Sequence, residues 1–357
     1  MSTILYILLA LLLLGIMVTV HELGHFCAAR ACGIAVRAFS IGFGPKILGW
    51  KSKKHETEYT LRLIPGGGYC AFYGEDDTEG KEAKEDPRSM TLQPAWKRLI
   101  TIFAGPLMNF VLAFLVGLVF FFGYGLPYAG DEVTMAVLSV NKGSPAEAAG
   151  FLADDVIVAL DGEAVGEDFI ERIIGWDGGA PLAVTVRRGE ETRELSVTPE
   201  YNSNEGRYMI GATLQPCADT VWVHKGFGET VSHTWNVCIS AGGAILEALK
   251  NLVTRGEGID QMSGPVGVIR VIADETREYK LMGYLNVLMV ISINLGLVNL
   301  LPIPGLDGCR ILFVLFEMIF RRPINRRVEA YIHLAGYIFL IGLMLLFTFR
   351  DVLNIFG

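Results

Sequence analysis

Residues 18–30 read VTVHELGHFCAAR. His21 and His25 are four apart. On a helix that spacing puts both on one face, where each can offer a ring nitrogen to the same ion. Such sites bind zinc, at Zn–N distances of about 2.0–2.1 Å. Glu22 points to a neighbouring part of the turn and can take a proton from a water at the metal without being a ligand. H-E-x-x-H has only three fixed letters and occurs by chance in soluble helices. Here it follows eighteen uncharged, mostly apolar residues, Thr3 to Val20. Two histidines and a glutamate at membrane depth need partners, and a metal supplies them.

A catalytic zinc site takes three protein ligands and leaves the fourth position open. Residues 294–308 read NLGLVNLLPIPGLDG, and Asp307 is the only acidic residue between Leu281 and Phe316. Pro302 and Pro304 remove backbone donors and stop a regular helix. Broken backbone at membrane depth is tolerated where it lines a cavity or is buried in protein. Asp307 is therefore the expected third ligand; the alternative is a helix cap in the PGLDG turn. Asn294 and Asn299 lie in the same stretch. They either hold a substrate backbone or bond between helices, and Asn109 in FAGPLMNF has the same two readings.

Four segments are long and apolar enough to position these groups across a bilayer, which takes about 20 residues. They are Ile4 to about Ala29, a stretch within Leu99 to Leu126, one within Leu281 to Leu306, and about Ala330 to Phe349. A cleaved signal peptide fits residues 1–20 badly, because no basic residue precedes the apolar run and the run leads straight into HELGH. The loops between the first two and last two spans carry the basic residues, including Arg30, Lys51, Lys53 and Lys54 in one and Arg321, Arg322, Arg326 and Arg327 in the other. Both loops are expected in the cytoplasm, with the region from about Gly130 to Lys280 outside. His25 is five residues, about 7–8 Å, from Arg30, and Asp307 is three residues from Arg310. Both clusters then reach a similar depth, as a shared metal requires.

Composition agrees. The 357 residues are 52% hydrophobic and 19% charged, too apolar for an ordinary soluble enzyme. A net charge of -8 gives no sign of nucleic-acid binding. The expected fold is a polytopic α-helical membrane protein with about four transmembrane helices and an inserted extracytoplasmic α+β domain. Residues 1–129 hold the first two spans and a cytoplasmic loop. Within that loop, alternation at Tyr59, Leu61 and Leu63 predicts short strands, Gly66 to Gly68 mark a turn or close backbone approach, and 75–89 is a charged loop. Residues 130–205 form the outer domain: TMAVLSV a strand, SPAEAAG a short helix capped by Ser144 and Gly150, DVIVALDGEAV a hairpin at an Asp-Gly turn, then a second hairpin turning at 188–190. Residues 206–280 connect it to the third span, and 281–357 hold the last two. Residues 226–254 read as an amphipathic helix, with Trp235, Ile239, Ile245, Leu246, Leu249 and Val253 on its apolar side. It either lies on the membrane surface or packs against the spans.

The other candidates are plainer. None of the six cysteines forms a CxxC pair; Cys217 and Cys238 either pair outside the cell or are free thiols. His55, His224 and His233 read as surface residues, and His333 as a packed, hydrogen-bonded histidine in the last span.

HELGH at 21–25 and LPIPGLDG at 301–308 resemble the two motifs of the site-2 proteases, intramembrane zinc metalloproteases, and of their bacterial regulator-of-sigma-E protease type. FAGPLMNF at 103–110, IPGGGY at 64–69 and SGPVG at 263–267 resemble further segments of that family. SVNKGSPAEAAGFLADDVIVALDG resembles a PDZ domain, of which this chain has room for one. Cys309 stands where the family commonly has glycine. The resemblance implies one Zn2+ per chain held by His21, His25 and Asp307, with Glu22 as general base. It implies a membrane-inserted hairpin; Gly67, Gly68 and Tyr69 are its candidate substrate-binding residues. The implied substrates are single-span membrane proteins, anti-sigma factors and remnant signal peptides. They are cut in the bilayer of the bacterial cytoplasmic membrane after an upstream site-1 protease has removed their outer domain. The rival readings are a membrane PDZ adaptor with a structural zinc site and, more weakly, a metal transporter, for which the spans offer only His333 as a further ligand.

Overall fold

The computed structural model describes residues 3–54, 56–75, 86–166, 168–189, 191–203, 205–258, 263–322 and 324–356. His55, Glu190 at the expected turn, and residues 76–85 of the charged loop lie outside the described residues.

Helix α1, Thr3–Cys32, buries Tyr6, Ala10, Leu13, Met17, His21, Gly24 and His25. These fall three or four apart, so one stripe along the helix carries both the packing and the histidines. Ile4, Leu8 and Leu12 stand exposed on the other side. Strands β1, Val36–Lys51, and β2, Glu58–Phe72, follow. Their pairing is folded back on itself. Residues Ala38 to Ile41 face Ala71 to Gly68 on one side and Glu58 to Leu61 on the other, and Glu58 to Leu61 in turn face Lys51 to Leu48. Two long strands thus make a sheet four segments wide, with residues 68–72 along one edge.

Helix α2, Ala95–Tyr124, crosses next and buries Thr101, Gly105, Pro106, Asn109, Ala113 and Gly117. The chain divides into two compact units, Gly125–His224 and the remainder. The inserted unit holds β3 (Leu126–Val140), α3 (Pro145–Ala149), β4 (Val156–Leu160), β5 (Glu163–Ala164), α4 (Phe169–Ile174), β6 (Leu182–Arg188), β7 (Glu191–Val197), β8 (Glu200–Asn202), β9 (Arg207–Met209) and β10 (Ala212–Val223). The sheet order is β10-β3-β4-β6-β7, with β5 on β4. Phe151, Ile157, Leu160, Phe169, Val184 and Val186 centre its core. The expected caps are present: the Ser144 side chain accepts the Glu147 N–H, and Gly150 closes α3 at φ 89°. The unit runs past the expected boundary at 205, because β10 pairs with β3 along its length.

Helix α5, Phe227–Arg255, is packed against the spans. Val237, Cys238, Ala241 and Ile245 meet Ala113, Met289 and Ile293. Trp235, Ile239, Leu246 and Val253 of the expected apolar side face outward instead. His233, expected at the surface, is half-buried with its ring edge-on to Phe121 at 4.7 Å. Helix α6, Pro265–Leu300, is broken at Lys280, whose φ of 56° and ψ of -130° are not helical. In a straight helix residues 275 and 283 would be about 12 Å apart. Here a Cβ on Gly283 would lie 2.3 Å from the Glu275 carbonyl oxygen. The chain therefore folds back, and Ile272 packs beside Val287 and Leu288 against Ala10, Leu13 and Met17. The stretch expected as a span from Leu281 onward follows this break.

Residues 301–306 are not helical. Helices α7, Asp307–Phe320, and α8, Arg326–Phe356, complete the chain. Among the described residues five helices, α1, α2, α5, α6 and α8, have the length and apolar composition to cross a membrane, where four spans are expected from the sequence; α5 is the further candidate. The described cysteines are all free thiols, Cys217 and Cys238 included.

Candidate metal centre

The centre forms where α1 and α2 touch. A Cβ on Gly24 would sit 2.2 Å from the Ala104 carbonyl oxygen, and one on Gly105 would sit 2.3 Å from His25 Nε2. Glycine at both places lets the helix backbones close on one another. It also leaves room for the His25 ring between them.

Three ligand atoms converge there. His21 Nε2 and His25 Nε2 are 3.2 Å apart. Asp307 Oδ2 lies 3.1 Å from the first and 3.3 Å from the second. Both histidines are buried. His25 Nδ1 is 2.9 Å from the Thr101 carbonyl oxygen. A carbonyl only accepts, so that nitrogen carries a proton, and in the neutral ring Nε2 is then a lone pair. His21 Nδ1 meets the Asn109 side-chain amide at 3.1 Å. The nearer amide atom is Nδ2, while Oδ1 is buried without a partner among the described residues; turning the amide over gives that oxygen the ring's Nδ1 proton to accept. Asp307 Oδ2 is buried and, with both Nε2 atoms unprotonated, has no hydrogen-bond donor among the described residues. Three acceptors facing one another without a proton between them repel unless a cation joins them. A tetrahedral zinc with ligands at about 2.0–2.1 Å sets neighbouring ligand atoms about 3.3–3.4 Å apart. The observed separations fit that ion with a shift of a few tenths of an ångström.

The broken segment delivers Asp307. Ile303 N–H bonds back to the Leu301 carbonyl at 2.7 Å, and Leu306 N–H to that of Ile303 at 3.1 Å. A Cβ on Gly308 would lie 2.3 Å from the carbonyl oxygens of both Leu300 and Leu301. The glycine after the aspartate thus lets α7 start directly against the end of α6. Cys309 is buried beside it.

Glu22 faces the sheet edge. Its carboxylate receives the Cys70 backbone N–H. A Cβ on Gly68 would lie 3.4 Å from Glu22 Cγ and 2.8 Å from the Ser40 carbonyl oxygen. Gly67 is covered by the Phe43 ring, 1.8 Å from where its Cβ would be. The Tyr69 hydroxyl accepts from Arg62 at 3.2 Å. Residues 68–71 pair with β1 on one side only, and the other edge turns toward α1. Asn294 is exposed and Asn299 half-buried on α6. Neither makes a side-chain hydrogen bond among the described residues. Asn109, left open between two readings, stands on His21. The Thr101 carbonyl had no sequence signal, since any residue supplies one.

A His-Glu-x-x-His helix at membrane depth, completed by a carboxylate from a second helix, defines a metalloprotease centre in a membrane protein. The model of Peptidase family M50 matches residues 9–343. A candidate zinc metalloprotease of Agrobacterium fabrum is 33% identical over 99% of this chain and 97% of its own. The regulator of sigma-W protease RasP of Bacillus subtilis is 31% identical over 97% of this chain and 98% of its own. A PDZ domain of an SdrC-like protein from Listeria monocytogenes aligns with 25% of this chain and 93% of its own, at 25% identity and a TM-score of 0.22. The chain belongs to peptidase family M50, the site-2 proteases. It is a zinc-dependent metalloprotease of a bacterial membrane.

Proposed function

We propose that the chain is an intramembrane endopeptidase that cuts the membrane segments of single-span proteins in regulated intramembrane proteolysis. The observation that carries this reading is the convergence of His21, His25 and Asp307 between apolar helices, with Glu22 between them and an unpaired strand edge. His21, His25 and Asp307 hold one Zn2+ per chain. Zinc, when bound, polarises the scissile carbonyl and makes a water acidic enough to ionise near neutral pH. Glu22 takes the water's proton and returns it to the leaving amine.

A substrate helix hides its carbonyls in its own hydrogen bonds, so it must unwind before it can be cut. The 68–71 edge offers an unwound segment a strand to pair with. Gly68 and Tyr69 lie on that edge, and Gly67, under the Phe43 ring, immediately precedes it. Asn294 and Asn299, without a side-chain hydrogen bond among the described residues, bind the substrate's freed backbone groups. Phe43, Ile47, Leu48, Trp50, Leu63 and Ile64 are exposed on the sheet, which suits a hairpin inserted into the bilayer.

The basic loops support a centre near the cytoplasmic face, with residues 130–205 outside as a PDZ domain. There it admits substrates already shortened by an upstream site-1 protease. Anti-sigma-factor-like proteins and remnant signal peptides have the required form, and the name of the Bacillus subtilis relative points to sigma-factor control.

The test is cleavage of a single-span substrate by purified protein in detergent. Glu22→Gln is expected to abolish turnover while zinc content stays at one per chain. Equal turnover by both proteins would remove Glu22 from the reaction.

A further inference from the structure

We propose that His333 is a positioning residue for the metal centre: it fixes the turn that presents Asp307. The inference rests on Asp307 being a zinc ligand.

The start of α7 is poorly secured by its own sequence. Leu306 at the N-cap has no side chain able to cap it. Within the turn, Ile303 and Leu306 have carbonyl partners for their N–H groups. The Gly305 N–H goes elsewhere, to His333 Nδ1 at 3.0 Å. Gly305 holds φ at 97°, a conformation that side-chain-bearing residues rarely adopt. It is two residues from Asp307, so a change in its backbone swings the carboxylate.

Helix α8 is pressed onto this turn. A Cβ on Gly336, one helical turn after His333, would lie 2.0 Å from the Pro304 carbonyl oxygen. Tyr337 and Leu340 flank Gly305. His333 also touches α7, its ring edge-on to Phe313 at 5.5 Å. The histidine is 9% exposed, and its Nε2 is buried without a hydrogen-bond partner among the described residues. Because Nδ1 accepts, the ring's proton sits on that unpartnered nitrogen, which carries a desolvation cost. An apolar side chain would fill the same place without that cost. What the imidazole adds is an acceptor at the Nδ1 position, aimed at the one free donor of the turn.

Asparagine puts an acceptor oxygen where Nδ1 stands, glutamine one where Nε2 stands, and leucine none. Zinc affinity is measured by chelator competition on the full-length protein in detergent, for wild type, His333→Asn, His333→Gln and His333→Leu. Thermal unfolding of the zinc-free forms runs in parallel. His333→Asn is expected to hold zinc as wild type does. His333→Gln and His333→Leu are expected to bind about 10–100-fold more weakly, as for loss of a group that orients a ligand. Unchanged affinity in His333→Gln and His333→Leu would overturn the proposal, and so would an Asn form no better than the Gln form. If His333→Leu fails to fold, the Asn–Gln comparison decides alone. Asp307→Ala separates the two levels: if it binds zinc as tightly as wild type, the ligand assignment fails, whatever His333 does.

Discussion

The side-chain amide of Asn109 lies 3.1 Å from His21 Nδ1, the ring nitrogen that does not face Asp307. This contact selects which nitrogen of His21 is free to bind an ion. Nδ2 is the nearer atom; with the amide turned over, the otherwise unpartnered Oδ1 accepts the Nδ1 proton and leaves Nε2 as a lone pair. Thr101 does the same for His25 with a main-chain carbonyl. Asn109→Ala is therefore expected to weaken zinc binding by about 10–100-fold, while Asn109→Asp, which keeps the acceptor, retains it. Competition against a chelator reads both. Zinc bound equally by the Ala form would show that His21 needs no such partner.

The two glycines at the α1–α2 contact should fail in different ways. Gly24 meets backbone, the Ala104 carbonyl, which cannot turn aside. Gly24→Ala forces the helices apart and is expected to lower stability by about 1–3 kcal/mol. Gly105 meets the His25 ring, which can move. Gly105→Ala is expected to displace that ligand and lose zinc, with a smaller change in the unfolding temperature of the zinc-free protein. Metal content and thermal scans on both variants distinguish the two.

The chemistry of the centre was legible in the sequence for a physical reason. His21, Glu22, His25 and Asp307 are ionisable groups in apolar surroundings, where chance residues are rare. The parts of the site that depend on backbone were not. Nothing in VIADETREYKLMGYL marks the reversal at Lys280, since neither proline nor glycine stands at the break and each half favours helix. The apolar side of helix α5 does not tell which of its faces packs against the spans. Among membrane helices the packed face is set by close approach, at Gly117 and Thr234 for instance, and Trp235 and Ile239 are left outward. The doubled pairing of β1 and β2 leaves a strand pattern but no sign of register. The caps of α3 were readable, because Ser144 and Gly150 act within their own turn.

Asn294 is exposed on α6 and unbonded among the described residues. If it binds substrate backbone, Asn294→Leu should raise KM about tenfold, the worth of one hydrogen bond of about 1.4 kcal/mol, with kcat and zinc content unchanged. Steady-state kinetics on a single-span substrate test this. An unchanged KM would return Asn294 to the lipid-facing surface.

In the inserted unit, Asp155 is buried and bonded to Arg188 at 2.7 and 2.8 Å and to the Leu152 N–H at 2.9 Å. Burial pushes its carboxyl up, but the bonds from Arg188 and Leu152 outweigh burial and hold it below the ordinary range. A carboxyl lowered by folding adds stability above its unfolded value of about 3.9 and loses it as pH falls through the folded value. Hydrogen-exchange protection of β4 and β6 in the full chain should therefore hold from neutral pH to about 4 and fall below that. Asp155→Asn should lower protection at neutral pH and flatten the acid loss. A wild-type profile already falling between pH 7 and 5 would contradict this assignment.

The most direct measurement is where the peptide bond is cut. A single-span protein carrying a short outer segment is incubated with wild type and with Glu22→Gln, and the products are weighed by mass spectrometry. The account predicts one wild-type cut inside the apolar segment, toward its cytoplasmic end, and none with Glu22→Gln. A cut outside the apolar segment, or the same cut with Glu22→Gln, would contradict it.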